Sequence, residues 1–196
     1  MTDYLLIPLA YLCGSLSSAV IICKIMRLED PRLHGSKNPG ATNVLRLHGK
    51  KAAILTLIGD VLKGLLPLLL AHALPVSDLV IALSALAAFL GHLYPVFFAF
   101  RGGKGIATFI GVLFGIYWPL GVAFIITWLV IALLFRYSSL AGLVASALMP
   151  VYAGFILPQT VYLSSIGTMV VFMFWRHRSN IRNLLAGRED KIGGGK

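Results

Sequence analysis

This chain is short of charge. Asp, Glu, Lys and Arg make up 12% of its 196 residues, where a soluble domain carries roughly a quarter. With 58% hydrophobic residues and a mean hydropathy of +0.87, that scarcity excludes a soluble globular domain and predicts a protein integral to a membrane. Basic residues are missing altogether before Lys24. A secretory signal peptide starts basic and has a short apolar core, so the long first apolar run reads as a retained helix. Cysteine is scarce too. Cys13 and Cys23 both fall in that first run, and ten helical residues set them about 15 Å apart, beyond disulfide reach. They read as packing residues and carry no information on redox compartment. Carboxylates are few outside the apolar runs, chiefly Glu29, Asp30, Glu189 and Asp190. No metal-ligand cluster stands out, so neither a metal nor a cofactor is expected. The positive-inside rule accounts for a net charge of +10, but topology needs only a few of these residues, which leaves others for a further role; no nucleic acid is expected as a partner.

What is present is apolar sequence in long runs. A spanning helix takes about 20 apolar residues. Runs at 4–26, 52–74 and 79–100 suit one helix each, the second ending at Pro75. The runs 106–135 and 140–175 exceed one crossing, and each breaks near its middle, at Trp118-Pro119-Leu120-Gly121 and at Leu157-Pro158-Gln159. Cytoplasmic loops are enriched in Lys and Arg. Segment 27–51 holds Arg27, Arg32, Lys37, Arg46, Lys50 and Lys51, segment 101–105 holds Arg101 and Lys104, and the tail 176–196 holds Arg176, Arg178, Arg182, Arg188, Lys191 and Lys196. Asp3 and the turn at 75–78 have no basic neighbour. Placing all three basic segments inside requires an even number of crossings between 105 and 176. The two broken runs therefore read as hairpins, which also puts Arg136 inside. The expectation is an all-α integral membrane protein of seven transmembrane helices, at about 4–26, 52–74, 79–100, 106–118, 120–135, 140–157 and 161–175. Its N-terminus is out and its C-terminus in. Residues 1–196 form one polytopic membrane domain with cytoplasmic loops at 27–51, 101–105, 136–139 and 176–196.

Four polar stretches meet that inner face. Gly35-Ser36-Lys37-Asn38-Pro39-Gly40-Ala41-Thr42 nearly matches the nucleotide-binding G-x-x-x-x-G-K-[ST] loop. It has Ala41 where the phosphate-gripping lysine belongs, and no strand precedes it, so an NTPase is not the expectation. The logic of converging backbone N–H groups still suits an anion. Ser36, Thr42 and Asn43 add donors, and Arg46 offers a two-bond grip on phosphate. Arg101-Gly102-Gly103-Lys104-Gly105 opens a helix, whose free N–H groups favour an anion. Two such loops on one face suggest two phosphate pockets side by side. In His177-Arg178-Ser179-Asn180, His177 and Asn180 share a helical face. In Arg136-Tyr137-Ser138-Ser139, a serine can simply cap the next helix. Within the membrane, Asp60 and Lys63 lie one turn apart and can pair. His92 is expected to bond across helices, and Gly14-Ser15-x-Ser17-Ser18 reads as close small-residue packing.

These motifs, in this order, resemble the bacterial acyl-phosphate:glycerol-3-phosphate acyltransferases of the PlsY type. The resemblance runs end to end. It is carried by Gly14-Ser15-x-x-Ser18, Gly35-Ser36-x-Asn38-x-Gly40-Ala41-Thr42-Asn43-x-x-Arg46 and Gly59-Asp60-x-x-Lys63-Gly64. It continues through Gly91-His92-x-x-Pro95, Gly102-Gly103-Lys104-Gly105-x-Ala107-Thr108, Arg136-Tyr137-Ser138-Ser139 and His177-Arg178-x-Asn180-Ile181, with Gly187 and Glu189. Ser17 departs from the proline that the family often has, which should affect only the first helix. The resemblance implies an enzyme of the cytoplasmic (inner) membrane that moves a fatty acyl group from acyl phosphate to the 1-hydroxyl of glycerol 3-phosphate. Its products would be lysophosphatidic acid and phosphate, the first step of bacterial phospholipid synthesis. The implied partners are glycerol 3-phosphate, fatty acyl phosphate and the lipid bilayer.

On that reading His177, Ser36 and Lys104 are the catalytic candidates. Arg46, Asn180, Asn38, Gly40, Thr42, Asn43, Gly102, Gly103, Ser138 and Ser139 are candidates for substrate binding. Asp60, Lys63, His92 and Glu189 are assigned to structure. Lys104, Arg46, Ser36, His177 and Asn180 go mainly to glycerol 3-phosphate, and Thr42, Asn43 and the loop N–H groups to acyl phosphate. The general base is either His177 or a phosphate oxygen of a substrate. No His-x-x-x-x-Asp occurs, the motif of the acyl-CoA-using glycerophosphate acyltransferases. Acyl phosphate is already activated, so positioning and charge neutralisation supply most of the rate. A transporter of phosphorylated anions would need basic residues on both sides of the midplane, and here only His72 lies in the outer half. A scaffold for lipid enzymes would explain the topology but not the loops.

Overall fold

A computed structural model describes residues 2–193; Lys196, counted above with the basic tail, lies outside the described residues. Every regular element among the described residues is helical. After a 3-10 turn at Thr2–Leu5 come α1 (Leu6–Gly14) and α2 (Ser18–Ile25). A short α3 (Ala41–His48) leads directly into α4 (Lys50–His72). Then follow α5 (Asp78–Leu93), extended by a 3-10 turn at Val96–Phe98, α6 (Ile106–Ile116) and α7 (Trp118–Phe135). The chain closes with α8 (Ser138–Ile156), α9 (Thr160–Arg176) and α10 (Arg178–Leu185).

The two long apolar runs do break into helix pairs. Tyr117, at φ −160° and ψ 111°, separates α6 from α7, and an extended Leu157–Gln159 separates α8 from α9. Pro119 stands in the first turn of α7 and Pro158 lies within the second break, and a proline has no N–H to give to a preceding turn. Four helices are long and apolar enough to cross a membrane alone: Lys50–His72, Asp78–Phe98, Trp118–Phe135 and Ser138–Ile156. The bent pair Asp3–Gly14 and Ser18–Ile25 is long and apolar enough only when its two halves are taken together, which brings the number to five where the pair counts as one span. α6, with 11 residues, is about 16 Å long, half the thickness of a hydrocarbon core.

One expectation is corrected. Residues 4–26 do not form a single helix: α1 and α2 meet at a 47° bend across Ser15–Ser17. The run of Gly14, Ser15 and Ser17 is poor in helix formers, and two constraints hold the break open. A Cβ on Gly14 would lie 2.0 Å from the Ala88 carbonyl, and one on Gly91 would lie 2.3 Å from the Tyr11 carbonyl. Backbones of α1 and α5 therefore touch through a reciprocal glycine pair, as in other close membrane crossings. The break also frees carbonyls, and Lys63 Nζ donates to the Leu16 carbonyl at 2.7 Å.

That lysine belongs to a buried network. Its ammonium is 2.8 Å from Asp60 Oδ1, both side chains almost fully buried. The contact is an ion pair rather than an aligned hydrogen bond. His92 Nδ1 lies 3.7 Å from the same carboxylate oxygen and 3.0 Å from Thr108 Oγ1. Residues from α4, α5, α6 and the α1/α2 break thus meet at one polar point. Around it packs an apolar core in which Phe89, Phe109 and Phe124 stack edge to face, with centroids 6.1 and 5.8 Å apart.

Removing one partner of the pair tests how much it holds. Lys63→Met leaves the Asp60 carboxylate buried against His92 alone, and loses the bond to Leu16. The expected cost is about 3–5 kcal/mol of unfolding free energy, read by denaturant unfolding in detergent micelles. Asp60→Asn combined with Lys63→Met should regain much of that loss. A single variant as stable as the parent protein would show the pair to be dispensable.

Candidate active site

The segments between helices come together at one end of the bundle. A cavity of about 390 Å³ opens there, lined by Ser36, Lys37 and Asn38 of the first loop, Arg46 of α3 and Lys104 ahead of α6. Ser179, Asn180 and Asn183 of α10 and Arg188, Glu189 and Asp190 of the tail complete it. Four of these side chains are cations and two are carboxylates, a surplus of two positive charges.

Local chemistry explains how each wall is held. The first loop folds around Asn43, whose side chain is buried. Its amide nitrogen donates to the carbonyls of Pro31 (2.8 Å) and His34 (3.2 Å), and its oxygen accepts the Ser36 N–H at 3.0 Å. Asn43 thus gives its bonding capacity to the loop itself rather than facing the cavity. Lys37 follows with φ +56°, a left-handed conformation that is uncommon for a residue with a side chain. Gly40 caps α3 and its carbonyl accepts from Asn43 and Val44, while Thr42 is exposed on the first turn.

On the opposite wall Lys104 Nζ donates to Asn180 Oδ1. The Asn180 amide nitrogen donates to Glu189 Oε1 at 2.6 Å, and the same oxygen accepts the Ser139 hydroxyl at 2.5 Å. Glu189 therefore ties α10, the tail and the start of α8 together. Arg46 Nη1 stands 3.0 Å from Asp190 Oδ2, and Ile192 exchanges two bonds with Arg136. Burial pulls the Lys104 ammonium below the ordinary lysine value, opposed by Glu189 and reinforced by Arg176 and Arg46.

Of the residues read from sequence, Ser36, Asn38, Arg46, Lys104, Asn180 and Glu189 line the cavity. Others stand behind it. Gly102 and Gly103, expected to cradle substrate, are instead buried against His92. A Cβ on them would lie 2.0 Å from the His92 carbonyl and 2.2 Å from His92 Nε2, respectively. Their own carbonyls accept from Arg176, at 2.7 Å for Gly102 and 3.1 Å for Gly103. Ser138 begins α8 beside Ser139. His177 is 3% exposed, sits at the α9/α10 junction, and has Nδ1 2.9 Å from the Met173 carbonyl. Burial pushes its pKa down from 6.5 to about 4, helped by Lys104 and Arg176 and opposed by the Met173 bond and Glu189.

Sequence reasoning missed Lys37, Ser179, Asn183, Arg188 and Asp190 on the cavity wall. Asn183 carried a signal, since it follows Asn180 by one helical turn. The basic residues did not, because each also satisfied the topology rule. A second cavity, of about 440 Å³, adjoins the first and shares Lys37 with it. Asp30, Arg32, Leu33, Pro39, Ala99 and Arg101 make its other walls. Arg32 is bound to Asp30 through Nη2 at 2.6 Å and lies over the Phe98 ring.

Comparison with known proteins agrees with this architecture. A family model described as glycerol-3-phosphate acyltransferase matches residues 4–187. The glycerol-3-phosphate acyltransferase of Methylococcus capsulatus is 53% identical over 191 residues, covering 97% of this chain and 96% of that protein. That of Thioalkalivibrio sulfidiphilus is 53% identical over 184 residues, covering 94% and 91%. Among solved structures, PlsY (YgiH), an integral membrane glycerol 3-phosphate acyltransferase, superposes in its glycerol 3-phosphate form with a TM-score of 0.93. It shares 38% identity over 98% of this chain and 96% of its own. Its lysophosphatidic acid form gives a TM-score of 0.91 at 36% identity, over 97% and 95%.

The His177 environment has a measurable consequence. Folding lowers the proton affinity of its ring, so the unfolded chain binds the proton more tightly. The stability that His177 contributes is complete above about pH 6.5 and drains away as pH falls towards about 4. The stability difference between the parent protein and His177→Gln should shrink across that window in thermal unfolding. A difference that stays constant from about pH 7 to pH 4 would contradict a buried neutral histidine.

Proposed function

The chain belongs to the glycerol-3-phosphate acyltransferase family and is a multi-pass membrane protein, and from that premise we propose that it takes acyl phosphate as donor and makes lysophosphatidic acid. The reading rests above all on the charge of the 390 Å³ cavity. Its surplus of two positive charges matches a phosphate monoester, which carries −1.5 to −2 near neutrality. Lys104 and Arg46 are the phosphate ligands, with Ser36, Asn38 and Asn180 as neutral donors. The second cavity, with Leu33, Pro39 and Ala99 beside Lys37 and Arg101, suits a donor that is anionic at one end and apolar beyond it. Lys37, on the border of both, would face both phosphates.

The chemistry asks for little else. The 1-hydroxyl oxygen of glycerol 3-phosphate attacks the acyl carbonyl carbon. The bond from that carbon to the bridging phosphate oxygen breaks, and inorganic phosphate leaves with the hydroxyl proton. His177 is a poor base for this step, with a pKa of about 4 and one ring nitrogen engaged by Met173. A phosphate oxygen, with a second pKa near 6, is the better acceptor. His177, Asn43, Gly102, Gly103 and the Ser139–Glu189 pair keep the walls in place. The concentration of basic residues in the cavity segments supports a cytoplasmic site in the inner membrane.

The purified protein, given palmitoyl phosphate and labelled glycerol 3-phosphate, should form lysophosphatidic acid, and palmitoyl-CoA should not replace the donor. In sealed vesicles the activity should be open in inverted ones and latent in right-side-out ones. Equal turnover with acyl-CoA, or activity accessible from the outside, would refute the donor or the orientation.

Arg46→Lys keeps charge but loses the planar fork, and Lys104→Arg enlarges a side chain set among glycines. Each should cost on the order of 1.5–3 kcal/mol, roughly ten- to a hundredfold in kcat/KM. The exposed Lys50→Arg should match the parent protein. If all three behave alike, the cavity is not the phosphate site.

A further inference from the structure

We propose that Arg176 is a positioning residue for acyl transfer: its guanidinium clamps the Gly102 and Gly103 carbonyls and thereby fixes where the Lys104 ammonium stands. The proposal rests on the reading of Lys104 as a ligand of the glycerol 3-phosphate phosphate.

The geometry carries it. Arg176 Nη2 donates to the Gly102 carbonyl at 2.7 Å, and Nε donates to the Gly103 carbonyl at 3.1 Å. A trans peptide points its N–H opposite its C=O. The N–H across from the Gly102 carbonyl is that of Gly103, and it donates to the His92 carbonyl at 3.2 Å. The Gly102–Gly103 peptide is thus gripped on both edges, by α9 on one side and α5 on the other. The next peptide, which leads into Lys104, is held by the second arm of the same guanidinium.

A loop of glycines needs such a grip. Glycine is imposed here by contact with His92, but it leaves the backbone with no side chain to restrict it. Arg176 supplies the missing restraint from outside the loop. Its own place is set by stacking 5.6 Å over the Tyr94 ring, and the Tyr94 carbonyl accepts the Tyr11 hydroxyl at 2.7 Å. The salt bridges among the described residues all involve other side chains. The arginine fork is used on backbone oxygen, not on charge balance. Arg176 also stands one turn before Asn180, which accepts from Lys104. One helix junction therefore sets both ends of the Lys104–Asn180 contact.

The test is a double-mutant cycle in the purified full-length protein, measured with acyl phosphate and glycerol 3-phosphate. Arg176→Lys keeps the charge and loses the two-carbonyl fork. It should raise KM for glycerol 3-phosphate by about tenfold while KM for the donor and the thermal unfolding midpoint stay near those of the parent. In a Lys104→Gln background the same change should cost less than about twofold, because a residue that acts through Lys104 has nothing left to position. If Arg176→Lys does not fold, Tyr94→Leu, which removes only the ring beneath the guanidinium, should give the same pattern with a smaller rise. Additive costs in the double variant, or an unchanged KM in a folded single variant, overturn the proposal. A Lys104→Gln protein with the parent KM would instead overturn the assignment of the phosphate site and leave Arg176 with no role in it.

Discussion

A carboxylate and an ammonium inside a lipid-facing bundle must satisfy one another, and much of this architecture follows from how Asp60 and Lys63 do so. Charges in hydrocarbon are costly unless paired and further bonded. The i,i+3 pair on α4 neutralises itself at 2.8 Å, but an ammonium has three protons to place. One goes to the Leu16 carbonyl, which is available only because α1 and α2 part at that point. The carboxylate has lone pairs left over, and His92 approaches it while bonding Thr108. Three helices and a helix break are thereby brought into register around a single polar point. Directly above it, the ring and carbonyl of His92 form the floor beneath Gly102 and Gly103. Rigidity is passed from the middle of the bundle to the backbone that carries Lys104.

The cavity above shows the complementary situation, a cluster of cations only partly neutralised by the protein. Asp190 meets Arg46 at 3.0 Å with both side chains well exposed, the kind of ion pair worth at most about 1 kcal/mol. Glu189 is more deeply engaged, by Ser139 and Asn180. The two neighbouring acids of the tail therefore differ in what they do. Glu189 is a cross-brace between three segments. Asp190 is a weak counterion that a doubly charged phosphate can displace from Arg46 at small cost. On the proposed function this difference keeps the cavity walls braced by Glu189 while leaving the Arg46 phosphate grip open to exchange.

Helix breaks at Pro119 and Pro158, the extent of most helices and the gathering of the basic loops were legible because hydropathy and proline act locally. The bend at Ser15–Ser17 was not. Its residues are small and uncharged inside an apolar run, and the same pattern serves an unbroken helix that packs closely. What decides is the partner, Lys63, 47 residues away. The glycines at 102 and 103 teach the same lesson about a site. Read alone, Gly-Gly-Lys-Gly suggests backbone amides converging on an anion; in the fold those glycines are small because His92 leaves no room for a Cβ. Asn43 looked like a ligand because loop asparagines often are, yet it has three backbone groups to hold. Arg176 was concealed among arginines that the charge rule explained sufficiently. Residues whose roles depend on a local period or a local break could be read, and those whose roles depend on a distant partner could not.

These distant partners bear on how so small a protein could catalyse acyl transfer. On the proposed mechanism the donor arrives activated and the proton leaves with its phosphate, so no side chain has to act as a strong base. The protein is then left with holding two anions so that one oxygen faces one carbonyl carbon. Effective concentration is a large contribution available to such a reaction, beside neutralisation of the phosphate charge, and it decays steeply when the reacting atoms shift by an ångström. A flexible lysine on a glycine loop would be a poor instrument for it. The same lysine becomes a good one when its backbone is pinned by Arg176 from one side and by His92 from the other, and its ammonium by Asn180. The buried polar groups, costly as they are in a membrane, find their function in that pinning: they make a loop that must contain glycine behave as though it did not.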